Sequence, residues 1–553
     1  MSDARSSDAV RHRYVIVACN VVAVGVVLAG LWWFVGRGIT SVDEGLVLAQ
    51  AHRVLEGRDY AEASSMPGGL PTGTATPWGL DEHGENGSAP YAKLPLYVVV
   101  VAGSLQLGAW GPVALSLVGL VAAAYCSSRI ARALRPKLEV PSLWVCALAS
   151  PLLFNGFLVW AHTFGAALFG AAVLALRSAI AGRRLSVVLF ACVLAIGTQV
   201  RQEFVLVALA FGMVLAAQAW RSRDVLLGVL GGAAFVAGVS GFVLARAWRA
   251  ALLGDAVAGY PYDAQVSTDS WPVGRWNGFV SSMLEVTGPT TAISLVLIVA
   301  VLAGASGYLV RRHRMSVAMW LLIVASAISV VAVIIDRGFW IDGLLVAFPP
   351  CIFGALIFRW GQVESYWLRT SLLSTFVGFV LILLTQYPEG GGFEWGGRYF
   401  AWAIPLLAAV LLWTLSEADL QPRMQWVVLL LIPVILWNVV GLLTIRETHT
   451  RSDALARVVA ATRGDEEIPI VFTNSFTARS LYMEANTGPA ARVQPEQGAD
   501  ELIRHLRSQG VREFVVVGGG SEATLDAFAA AGTVKSEHEL NGKRVLKVEL
   551  TQP

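Results

Sequence analysis

A carboxylate pair, Asp43-Glu44, stands soon after the first apolar run, and Lys93 opens the string Lys93-Leu94-Pro95-Leu96-Tyr97 ahead of the next one. Further along come Trp160-Ala161-His162-Thr163, Arg201-Gln202-Glu203, Asp336-Arg337 with Asp342, and Glu394-Trp395-Gly396-Gly397-Arg398-Tyr399. A positioned carboxylate can take the proton of an attacking hydroxyl. A lysine or arginine can stabilise the charge that develops on a departing phosphate. An acid early in the chain could thus serve as a base, and the cations later in it could hold an anionic group such as a phosphate.

Several of these residues also have a structural explanation. Ser41 and Glu44 have the spacing of a capping box, in which the glutamate reaches back to the N-cap amide. Asp43 has no such duty; in the first helical turn it gains mild stabilisation from the helix dipole and is left to act as a base. Lys93 at a membrane boundary can snorkel, or it can hold a lipid-borne phosphate at headgroup depth. His162 alone reads as an interfacial histidine, and Arg201 beside Glu203 as an ion pair. The balance shifts because all of these groups fall on one side of the bilayer in the topology derived below. Ionisable residues at the ends of apolar helices are costly unless they pair or serve a site.

Two further motifs carry less. Asp81-Glu82-His83-Gly84-Glu85 brings oxygen and imidazole ligands close together. Its spacing fits no known loop, and a solvated turn explains it better. Cofactor need stays open, with a divalent cation as the one candidate and no metal-ligating residues assigned. Gly518-Gly519-Gly520-Ser521 follows a strand-like run, but a lone glycine cluster is weak evidence for a nucleotide loop and reads as a turn into an N-cap at Ser521. Cys19, Cys126, Cys146, Cys192 and Cys351 all lie in apolar runs and read as packing residues.

The elements that hold these residues are read as helices in a bilayer. Only 14% of the 553 residues are charged, against roughly a quarter in soluble chains. Residues 14–34, preceded by Arg11 and Arg13, are long enough to span and to remain as a signal anchor. Apolar runs follow at 95–107, 113–131, 143–159, 161–176, 185–200, 204–220 and 225–244, then at 293–310, 315–335, 344–358, 372–387, 399–415 and 426–443. Basic clusters alternate with connections poor in Lys and Arg, except across 95–131, so the 95–107 run is expected to be interfacial, re-entrant or a short half-helix. Counted in this way the chain makes about thirteen crossings, with the N-terminus cytoplasmic and the C-terminus outside. The fold class is thus an all-α polytopic membrane protein over 1–445, with a catalytic first external loop at 37–93 and a second loop at 248–288. From 446 to 553, strand-like and helix-like segments alternate as in a small extracytoplasmic α/β domain.

At these residues the sequence resembles the GT-C superfamily of membrane glycosyltransferases, in particular the protein-mannosyltransferase and aminoarabinose-transferase branch (glycosyltransferase family 39-like). The matching elements are Asp43-Glu44, the Lys-x-Pro-Leu-Tyr at Lys93, Pro95, Leu96 and Tyr97, the Trp-x-His-Thr at Trp160, His162 and Thr163, and the Trp-Gly-x-Arg-Tyr at Trp395, Gly396, Arg398 and Tyr399. The family usually has two prolines after the lysine, where this chain has Leu94-Pro95, and often an arginine opening the following span, where this chain has Ser116.

The resemblance implies transfer of one sugar from a polyprenyl-phosphate donor to a hydroxyl of a lipid, glycan or protein acceptor outside the cytoplasm. Direct displacement with a single base would invert the anomeric centre. Asp43, with Glu44, is expected to be catalytic; Lys93, Tyr97, His162, Arg201, Glu203, Glu394 and Arg398 are expected to bind substrate. The aromatic residues Tyr260, Tyr262, Trp271 and Trp276 of the second loop are expected to cover the sugar. The expected setting is the plasma membrane of a bacterial cell envelope, and nothing points to nucleic acid. A lipid-linked glycan flippase or polymerase is the nearer alternative, since it would share the basic outer face without needing Asp43. A secondary transporter is the more distant one, because the two chain halves look unlike and the charges sit at helix ends rather than at mid-span.

Overall fold

The computed structural model describes residues 39–58, 66–69, 74–75, 93–253, 271–385, 395–418, 420, 423–465, 467–493, 498–519 and 522–551, together with 25, 29 and 30. The chain divides into two compact units. One comprises Met1–Val35, Val113–Leu244 and Ser267–Thr444; the other comprises Gly36–Pro112, Ala245–Val266 and Ile445–Pro553.

Helices dominate the first unit. Among the described residues of the whole chain, eight helices are long and apolar enough to cross a bilayer. They are Gly111–Leu134, His162–Ile180, Phe204–Ser222, Val225–Leu253, Thr290–Arg311, Met315–Ile335, Tyr366–Thr385 and Arg423–Arg463. Large apolar side chains such as Val301, Ile334 and Phe376 point outward, while Ser127, Ser306, Ser329 and Thr370 are buried. That inversion suits a hydrocarbon solvent, in which small polar residues pack helices together and apolar ones face lipid. Ser127 donates to the carbonyl of Pro405 at 2.7 Å, and Ser306 to that of Ala318 at 2.7 Å. The chain is an integral membrane protein.

Two apolar runs read as single helices are broken. Residues 143–159 fold as Glu139–Leu148 and Leu152–Gly156, and residues 344–358 as Leu344–Ala347 and Pro350–Ile357. Pro151 and the pair Pro349-Pro350 stand at the breaks; proline disfavours helical backbone in the residue before it. Irregular backbone at such depth must be satisfied by other protein groups. Asn438 does this at the first break, donating to the carbonyls of Ser150 at 3.0 Å and Leu148 at 3.2 Å. The 95–107 run forms a helix over Pro95–Leu105, whose 11 residues rise about 16 Å, roughly half of a hydrocarbon core. Most of the 14–34 run, expected to be a signal anchor, lies outside the described residues.

The second unit is built on a six-stranded sheet. Its strands are β1 (Thr74–Ala75), β2 (Ile470–Phe472), β3 (Ala490–Val493), β4 (Glu513–Gly518), β5 (Gly532–Leu540) and β6 (Lys543–Leu550), in the order β1-β3-β2-β4-β6-β5. The central β3-β2-β4 pairs are parallel and the outer pairs antiparallel. β2 and β4 carry buried apolar residues in succession, as strands covered on both faces must. Leu502 and Leu506 of the helix Gly498–Ser508 and Phe528 of the helix Glu522–Ala530 close the core. Two contributions come from far upstream: Met66 enters this core, and β1 adds an edge strand to β3. The 37–93 segment thus supplies part of the α/β fold. It also supplies the helix α1 (Val42–Leu55) and, at its end, the entry to α2 (Pro95–Leu105).

Candidate functional site

Within the second unit, α1 starts at a capping box. Glu44 N donates to Ser41 Oγ at 3.2 Å, and one Glu44 carboxylate oxygen accepts from the amides of Thr40 and Ser41, each at 2.9 Å. Glu44 is buried and performs the local duty its spacing predicts. Asp43, beside it, points elsewhere: its Oδ1 lies 2.6 Å from Nζ of Lys93. Both side chains are mostly sheltered, at 20% and 17% exposure.

Lys93 is held a second time, by its backbone. Its amide donates to Oε1 of Gln50 at 3.2 Å, and Gln50 is buried. Asp43 and Gln50 are seven residues apart on α1, two helical turns, and so share one face. The pair grips the lysine at both ends. Pro95 is the first residue of α2, a position where its missing amide costs nothing and its φ is already helical. The Lys-x-Pro spacing therefore places Lys93 just ahead of a helix start. Tyr97 is buried in the first turn of α2. Gln50 escaped the sequence reading; its one signal is the seven-residue spacing from Asp43.

The same unit surrounds α1 with titratable groups. Burial lowers the His52 imidazole below its ordinary value, with Glu56 opposing and Arg58 assisting. Burial raises the Tyr482 hydroxyl, and the neighbouring carboxylates of Glu484 and Glu44 raise it further. The carboxyl of Glu484 is itself raised by burial.

The first unit assembles a different group. Arg398 has its guanidinium carbon 5.7 Å from the Trp160 ring centre and 5.5 Å from that of Tyr399. Trp160 lies 4.9 Å from the ring of His162, at the start of the helix His162–Ile180. The loop carrying Arg398 is fixed by its glycines. Gly396 and Gly397 have φ of +69° and +66°. Their amides donate to the carbonyls of Ile341 at 2.9 Å and Asp342 at 2.6 Å. A Cβ on Gly396 would overlap Pro151, and one on Gly397 would overlap Leu344. Trp395, fully buried, stacks on Phe154 at 4.8 Å and meets Trp340 edge-on at 5.7 Å. A rigid aromatic base thus supports the arginine.

Arg201 and Glu203 form the ion pair their spacing suggests, with Nε to Oε2 at 3.2 Å and Glu203 buried. The Arg201 stem crosses Gly165, one turn into the helix that His162 opens: a Cβ there would stand 3.0 Å from Arg201 Cδ. Thr163 donates to the carbonyl of Ser116 at 2.8 Å, and Ser116 is itself buried. Asp342 is buried, and Asp336 accepts from the Gly338 amide at 2.6 Å. Trp271 and Trp276 are exposed on the helix Trp271–Leu284. Glu394, the 81–85 patch, Tyr260, Tyr262 and Ser521 lie outside the described residues. Among the described residues no three His, Cys, Asp or Glu side chains are grouped as a metal site would need.

No family model matches the chain, and no curated protein matches it. Solved structures do. ArnT from Cupriavidus metallidurans in the apo state aligns over 95% of this chain and 97% of its own, with a TM-score of 0.51 at 12% identity. The structure of the same protein bound to undecaprenyl phosphate aligns over the same shares with a TM-score of 0.52, also at 12% identity. At that identity the likeness establishes architecture alone: the chain has an ArnT-like fold of long apolar helices, with a small α/β region toward its C-terminus.

Proposed function

We propose that this protein is a GT-C-type glycosyltransferase that moves a sugar from a polyprenyl-phosphate donor to an acceptor hydroxyl on the extracytoplasmic side of the membrane. The observation that carries the reading is the Asp43–Lys93 pair: a carboxylate on the first turn of α1 held 2.6 Å from an ammonium just ahead of a short apolar helix. The GT-C architecture supports it, as does the lipid phosphate bound by one structural neighbour. In the resting protein the ammonium neutralises the carboxylate. An arriving donor phosphate would compete for that ammonium, and a carboxylate that gives up its cation holds a proton more readily. Asp43 is then the general base that takes the acceptor hydroxyl proton as its oxygen attacks the anomeric carbon. The sugar–oxygen bond to the phosphate breaks with inversion, and Lys93 stabilises the polyprenyl phosphate that leaves.

In the first unit, Arg398, backed by Trp160 and Tyr399, is proposed to bind substrate as a fixed cation. His162 and the Arg201–Glu203 pair, in the same unit as Arg398, are likewise proposed to bind substrate. Glu44 is proposed to act through the fold of the α1 start and not by touching substrate. The N-terminus is proposed to be cytoplasmic and the C-terminal region extracytoplasmic, as basic residues in short loops direct.

The test is incubation of purified protein with labelled polyprenyl-phosphate sugars. Wild type releases polyprenyl phosphate and inverts the anomeric centre; Asp43→Asn binds the donor but releases none. Full activity in Asp43→Asn would reject the assignment. Donor binding without release by wild type would identify instead a flippase or polymerase-type carrier of lipid-linked glycans.

A further inference from the structure

Two opposite faces of α1 make different contacts. Asp43 and Gln50 hold Lys93 on one. Gly45, Ala49 and His52 lie about 180–240° around the helix from Asp43, at the i, i+4, i+7 spacing of a single stripe. That stripe rests on two short helices of the C-terminal region, Ser475–Ser480 and Tyr482–Asn486. At Gly45 the approach is so close that a Cβ would overlap the carbonyl oxygen of Arg479 and come within 2.7 Å of Ile39 Cδ1. Asn486 Nδ2 donates to the carbonyl of Ala49 at 3.3 Å, and Arg58, just beyond α1, donates to the carbonyl of Asn486 at 3.3 Å. The His52 ring lies 6.0 Å from that of Tyr482.

The chain after α1 is tied to the same region three more times. Met66 enters its core, the Pro67 carbonyl meets His505 Nε2 at 2.9 Å, and β1 pairs with β3. A helix of 14 residues is marginal by itself, so its height and rotation must come from what it packs on.

We infer that the C-terminal α/β region is the positioning element of the transfer site, and that Gly45, Asn486 and Arg58 are positioning residues that set where Asp43 meets Lys93. The region acts by holding α1; no acceptor-binding duty is needed to account for its packing. The catalytic arm of this inference rests on the transferase reading, whereas its geometric arm does not.

The experiment uses full-length protein in detergent, comparing wild type with Gly45→Ala, with the milder Asn486→Ala, and with Arg544→Ala as a control on the exposed Asp526–Glu537 cluster. Three quantities are read: Lys93 acylation relative to Lys547, which is ion-paired to Glu513 in the same unit at 3.1 Å; hydrogen exchange of the α1 amides; and kcat and KM for the donor. In Gly45→Ala and Asn486→Ala, Lys93 labelling rises severalfold against Lys547, α1 exchanges faster, and kcat falls by about tenfold or more, as a displacement near 1 Å can cause. General destabilisation would raise both lysines together and leave their ratio unchanged. Wild-type labelling and exchange in both variants would overturn the inference, as would an unchanged kcat with Lys93 newly exposed. If wild-type protein transfers no sugar, the transferase reading fails, and labelling and exchange still decide the positioning role.

Discussion

Two adjacent carboxylates divide their labour by the direction each side chain takes. Glu44 turns back to the amides of Thr40 and Ser41, whereas Asp43 turns out to Lys93. A glutamine can make the same return bond in a capping box, so Glu44→Gln is expected to retain most transfer activity, while Glu44→Ala lowers the unfolding free energy by about 0.5–2 kcal/mol. Asp43→Asn is expected to do the reverse, keeping the unfolding midpoint and losing transfer. Thermal unfolding and donor-release assays on the three variants, run side by side, separate cap from catalyst. Lys93→Ala is expected to lower kcat by about 10²-fold through lost stabilisation of the leaving phosphate, with Lys93→Arg recovering part of it. Equal loss in Asp43→Asn and Glu44→Gln would contradict this division.

At the scale of elements, the recurring device is a break or a start fixed by glycine or proline. Pro95 begins α2 directly after Lys93, and Pro151 ends one apolar run early. Gly396 and Gly397 turn the chain through left-handed backbone so that Arg398 projects from a buried tryptophan base. Alanine at Gly397 would have to adopt a positive φ and push against Leu344, at a cost of about 1–3 kcal/mol for the backbone alone. Gly397→Ala is therefore expected to lower the unfolding midpoint and to reduce donor binding; an unchanged midpoint would show that the loop tolerates another path. These breaks were only partly legible beforehand. Hydropathy sums apolar character over a window, and a proline inside the run barely changes the sum, so 143–159 and 344–358 look continuous though the backbone is not. The Trp-Gly-Gly-Arg-Tyr string was visible, but its hydrogen bonds to Ile341 and Asp342 come from residues about fifty positions away.

For the molecule as a whole, charge burial in the second unit makes stability depend on pH. Burial holds the Glu484 carboxyl above its ordinary value of 4.5, despite the pull of Arg463. A raised acid favours its neutral form in the fold; its stabilising contribution is full below 4.5 and is lost as the pH rises through the raised value. Glu484→Gln is accordingly expected to raise the unfolding midpoint at about pH 8 and to change it little at about pH 4. A larger gain at the acid end would reverse the sign and show that Arg463 outweighs desolvation. His52 acts in the opposite sense: its depressed value gives stability that is present above 6.5 and lost as the pH falls through the folded value. Both residues lie on or beside the short helices that hold α1, so either titration should be followed by α1 hydrogen exchange as well as by the global midpoint.

The sequence by itself determined that this is a membrane protein of long apolar helices, because lipid admits few alternatives and the charge deficit is large. It also determined the capping box and the helix start after Lys93, since these depend on residues two or three apart. Only the tertiary structure decided that Asp43 and Lys93, fifty positions apart, form one ion pair. It alone revealed Gln50 as the second grip, and the attachment of α1, Met66 and β1 to an α/β fold more than 400 residues downstream. Periodicity records which face of an element is buried and says nothing of which distant surface buries it.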